Sequence, residues 1–133
     1  MFDEILAREW DSPTSYRYHR MFVDAYALQH PDEYCASAKS FAAHLTGLCA
    51  AIEHKSHPSV LKALQRWLSG TAPVTKPELP SFRGALTIAE VYVQREPVPH
   101  ALAVNRWACS TWGAYSVLHP LARRWIEQAF ATK

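Results

Sequence analysis

The chain has 133 residues, a length that fits one domain whose core needs no disulfide or metal staple. With 49% hydrophobic and 20% charged residues it falls in the globular range and outside the disordered one, and a formal charge of +2 with no basic run longer than Arg123-Arg124 argues against a nucleic-acid surface. Cys35, Cys49 and Cys109 lack CxxC spacing, no apolar run approaches the roughly 18 residues of a membrane span, and Met1-Phe2-Asp3-Glu4 is acidic where a secretory signal is basic; the expectation is a cytoplasmic chain with no membrane partner, no disulfide framework and no thiolate zinc site.

Phe2, Ile5, Leu6 and Trp10 form a short helical stripe, ended by the turn chemistry of Asp11-Ser12-Pro13-Thr14-Ser15. Ser12, Thr14 or Ser15 can cap a second helix over 16–30, which stops at His30 because the following Pro31 biases it away from helical geometry. At 100° per residue, His19, Val23, Tyr26 and His30 share one face of that helix, while Arg20 and Asp24, four apart, can pair at its margin. Asp32 is the expected cap of a third helix running to about Glu53, with Tyr34, Ala38, Phe41, Leu45, Leu48 and Ile52 inward. Its Ala42, Ala43, Gly47 and Ala50 allow close approach of a neighbour, and His44, on the buried margin, needs a partner.

After the break at His54-Lys55-Ser56-His57, a helix is expected from Pro58 to Ser69 and is stopped by Gly70. Residues 71–84 hold three prolines and no periodicity, which reads as a long loop over the outside of the domain. Thr87-Ile88-Ala89-Glu90 has the form of a capping box opening a short helix that Pro97 and Pro99 terminate. A long helix over about 100–118 carries Val104, Trp107, Ala108, Thr111, Trp112, Tyr115 and Leu118; it stops or kinks at His119-Pro120 before a last amphipathic stretch with Leu121, Ala122, Trp125, Ile126, Ala129 and Phe130. Only residues 79–93 leave room for a strand, so the expected class is all-α: a single-domain bundle of four or more helices with a long Pro-containing loop.

Chemistry concentrates on the histidines. His19, His44 and His119, from three helices, are the candidate ligands of an interhelical metal site, with His30 or Asp24 as a further ligand. Such a site would take zinc or another divalent transition metal and activate water. Metal-free acid–base work is the other possibility, with His19, Asp24, Tyr26 and His30 as candidate catalytic residues relaying a proton near neutral pH. Trp107, Trp112 and Tyr115 can wall such a pocket or belong to the core. The three cysteines sit in apolar helical patterns that raise a thiol's pKa and quiet it. His30, His57 and His119 each precede proline at an expected helix end, where capping accounts for them equally well.

His19-Arg20-Met21-Phe22-Val23-Asp24-Ala25-Tyr26-Ala27-Leu28-Gln29-His30-Pro31 resembles the signature of a family of small bacterial proteins of unknown function. His44-Leu45-Thr46-Gly47-Leu48-Cys49 and the run from Trp107-Ala108 through Trp112 to His119 also resemble that family's pattern. The resemblance implies that His19, Asp24, His30 and His44 belong to the motif-bearing part, and it supplies no reaction. Similar proteins carry a zinc-ribbon cysteine pair upstream of the segment equivalent to residues 1–10; this chain lacks it, so no zinc ribbon is expected. Three function classes follow: a small enzyme with a histidine-lined pocket acting on a small-molecule substrate, a non-catalytic protein that forms a homodimer or binds a partner, and a binder of apolar ligands.

Overall fold

The computed structural model describes residues 1–10 and 19–132, with only the backbone of Trp10. Helix α1 spans Phe2–Trp10, with Asp3 and Glu4 in its first turn and Arg8 in its last, both complementing the helix dipole. Helix α2 spans His19–Gln29. The expected turn at 11–15, the cap from Ser12, Thr14 or Ser15 and the helical residues 16–18 lie outside the described residues.

Pro31 does end α2, but it also opens a one-turn helix, α3, Pro31–Tyr34. The expected helix from Asp32 to Glu53 is therefore two elements. Ser37 takes up an extended conformation and accepts from the Ser40 N–H while Ser40 reaches back to the Ser37 N–H, a reciprocal cap that restarts the chain as α4, Ala38–Glu53. Tyr34 consequently lies outside the α4 stripe and is exposed. Helix α5, Pro58–Ser69, has the expected bounds, with Pro58 in its first turn and His57 as a cap that accepts from the Ser59 N–H.

Thr87 and Glu90 form the expected capping box at the start of α6, Ile88–Tyr92. Pro97 and Pro99 do not terminate that helix: they lie in the first turn of α7, Pro97–Ala114, where a missing N–H costs nothing. Tyr115 closes α7, a 3-10 turn covers Ser116–Leu118, and α8, His119–Ala131, takes Pro120 into its own first turn. Residues 79–93 form loop and α6, and no strand occurs among the described residues. The class is all-α.

Helix α4 is the hub, packing against α2, α5, α7 and α8, while α2 lies between α4 and α7. Phe22, Ala25 and Leu28 of α2 meet a core that includes Phe41, Leu45 and Leu48 of α4 and Trp107 of α7, all fully buried. The long loop packs Ala72, Val74 and Leu79 against the core, and a polar side chain pins its far end. Gln29 donates from Nε2 to the carbonyls of Arg83 (2.9 Å) and Leu86 (2.7 Å), and its Oε1 accepts from Trp107 Nε1 (2.7 Å). Tyr115 donates its hydroxyl to the Leu28 carbonyl, one of those left without an intrahelical partner at the end of α2. Among the described residues no helix is long and apolar enough to cross a membrane.

Candidate functional site

Two buried carboxylates, each bonded to imidazole from another helix, meet around α2. Asp24, in the middle of α2, shares a hydrogen bond with His44 Nδ1 of α4 across 2.9 Å. The aspartate is almost fully buried, whereas about a fifth of the His44 side chain is exposed. Asp24 Oδ2 is buried and carries no hydrogen bond. It occupies the space left by Gly47, one turn along α4 from His44, where an added Cβ would overlap it. The small residue thus makes room for a carboxylate between two helices in close contact. Burial pushes the Asp24 pKa above the ordinary carboxylate range, and this outweighs the opposing effects of the His44 bond and the charges of His44, Arg20 and His19.

The second carboxylate is Glu9 of α1, fully buried. Its Oε1 accepts from His19 Nδ1 (3.1 Å) and its Oε2 from His100 Nε2 of α7 (3.0 Å). His100 is itself buried, and its Nδ1 has no partner. Glu9 and His100 are not among the residues that the sequence singles out, yet both leave a trace there. Glu9 follows Phe2 and Ile5 at helical spacing, and His100 precedes Val104, Trp107 and Thr111 on the same stripe, so each is a polar residue on an apolar face.

The other candidates lie elsewhere. Tyr26 packs tilted against His30, with ring centroids 4.3 Å apart, and also meets Phe2 and Tyr34 in an aromatic cluster at the end of α2. Burial raises the Tyr26 pKa. His119 lies flat against Trp112, 3.8 Å between centroids, and donates from Nε2 to the Trp112 carbonyl at 2.7 Å. His19, His44 and His119 therefore bond to Glu9, Asp24 and the Trp112 backbone respectively. No group of three or more His, Cys, Asp or Glu side chains is placed to hold a metal ion among the described residues. Arg20 is exposed and closes no ion pair with Asp24 among the described residues, acting on it only as a more distant charge.

Trp107, Trp112 and Tyr115 are buried in the core. The thiols of Cys35 and Cys49 are pushed up by burial to about 11 and about 12. Cys109, expected in apolar surroundings, is exposed because its position on α7 faces outward.

Residues 1–116 match a family described as one of unknown function (DUF5946). The chain belongs to that family. The DUF5946 match takes in Glu9, His19, Asp24, His44 and His100, all the members of the two carboxylate–imidazole groups, and leaves out α8 with His119. No curated protein and no solved structure matches the chain.

Proposed function

We propose that this protein performs acid–base chemistry on a small molecule, with His44 taking and returning the proton and Asp24 orienting it. The observation that carries this reading is the 2.9 Å bond from His44 Nδ1 to a buried carboxylate. A carboxylate on Nδ1 fixes the proton there and leaves the Nε2 lone pair as the base. Nothing described bonds to Nε2, and the ring is partly open to solvent. His19, bonded to Glu9 and about a quarter exposed, is close enough to Asp24 for its charge to act there, and supplies a second imidazole as proton donor. Tyr26 and His30, further along α2, stand outside this proton step.

Diethyl pyrocarbonate, which acylates an unprotonated imidazole nitrogen, tests the proposal. His44 should be modified several-fold faster than the exposed His54 when peptides are mapped after brief exposure near neutral pH. Asp24→Asn should bring its rate down to or below that of His54. Slower reaction of His44, or a rate indifferent to Asp24→Asn, would remove the base from the account.

A second reading, a homodimer, is favoured by Val93, Val98 and Leu102, which are 66%, 63% and 59% exposed along α6 and α7. Sedimentation equilibrium would then show a mass that rises with concentration.

A further inference from the structure

At the C-terminal end of α2 two small cavities of about 150 and about 260 Å³ adjoin, with Gln29, His30 and Arg83 lining both. The Arg83 Nε–H is buried without a hydrogen-bond partner, and no carboxylate closes an ion pair with this guanidinium among the described residues. The guanidinium lies within hydrogen-bonding and charge reach of the Tyr115 hydroxyl, which leaves its Nε–H still unpaired. A buried donor left unsatisfied costs about 1 to 3 kcal/mol, and more when charged, so the position calls for an acceptor.

The backbone on either side of Arg83 is fixed. Gln29 holds the carbonyls of Arg83 and Leu86, the Ala85 N–H donates to Ser110 Oγ (3.2 Å), and Gly84 sits at φ +105°, a conformation that favours glycine. The main chain that carries Arg83 is thereby set in place before any ligand arrives. His30, exposed and braced on the Tyr26 ring, completes the shared wall.

The charge at the edges narrows the ligand. Asp32 and Glu33 line the smaller cavity and repel a multiply charged anion, while Ile88 lines the larger one and suits a short apolar tail. A planar carboxylate matches the guanidinium fork through two parallel N–H···O bonds. We propose that Arg83, beside His30, binds the carboxylate of a small monocarboxylic acid. This site shares no residue with the Asp24–His44 pair, and the two proposals stand or fall separately.

The test follows the His30 imidazole signals by NMR as butyrate or inorganic phosphate is added at equal ionic strength. Butyrate should shift them saturably and phosphate only at higher concentration. Arg83→Lys, which keeps the charge and loses the fork, should weaken butyrate about tenfold or more. His30→Ala, at an exposed position, should weaken it a few-fold when followed through the Leu86 amide, with the fold intact. Phosphate saturating before butyrate would overturn the ligand class. A linear response to butyrate, or unchanged affinity in both variants, would overturn the site.

Discussion

At the scale of single residues, Gly47 and Asp24 share one volume. A methyl group at position 47 would overlap Asp24 Oδ2, and the aspartate, buried and bonded to His44, cannot swing away without giving up that bond. Gly47→Ala should therefore destabilise the fold by about 1 to 3 kcal/mol in urea denaturation. An unchanged midpoint would mean that the two helices are less closely packed than described.

Asp24 itself has a definite pH signature. Because burial raises its folded-state pKa, the folded chain holds this proton more tightly than the unfolded chain does. As pH rises from the ordinary carboxylate range through the raised value, the Asp24 contribution to stability falls, and above that window its full cost is present. Asp24→Asn keeps an acceptor for His44 and exchanges an unpartnered charged oxygen for an amide, whose burial costs less. The variant should gain on the order of 1 kcal/mol at neutral pH, and the gain should vanish below the ordinary carboxylate range. Lost stability at neutral pH would contradict this. A substitution that strengthens the fold while disabling the proposed base is what a functional residue held at a structural cost predicts.

Among the elements, α2 and the long loop depend on each other through Gln29. Gln29→Leu keeps the volume but removes three hydrogen bonds and strands the buried Trp107 Nε1–H. It should cost about 2 to 4 kcal/mol, with faster amide exchange in residues 83–86 as the local sign. Helices with strong local signals were legible in the sequence: Pro58 and Gly70 bound α5, and Thr87 with Glu90 opens α6. Prolines with two readings were not. Pro97 ends a helix or begins one with the same local chemistry, and only packing of α7 against α2 decides between them. The Tyr34 stripe continued into α4 in periodicity alone, while the cap formed by Ser37 and Ser40 interrupted it. His44's need for a partner was readable, but its bond to Asp24 depends on how α2 meets α4 twenty residues away. Glu9 and His100, ninety-one positions apart, could not be paired without the fold.

For the molecule as a whole, a modest all-α core holds two carboxylates that hydrophobic residues could replace. Buried pairs of this kind add little net stability, while stranding one member is costly. Their placement follows from helix order: α2 lies between α4 and α7, so a single helix offers Asp24 to one neighbour and His19, through Glu9, to the other. In the proposed arrangement the Asp24–His44 proton resides on His44 Nδ1 and leaves Nε2 bare. Long-range ¹H–¹⁵N correlation of the imidazole at pH values where the ring is neutral reads this directly. A protonated Nδ1 and an unprotonated Nε2 are expected, with that preference lost in Asp24→Ala, which removes the acceptor. A proton on Nε2 and a bare Nδ1, with Asp24 itself protonated, would contradict that arrangement.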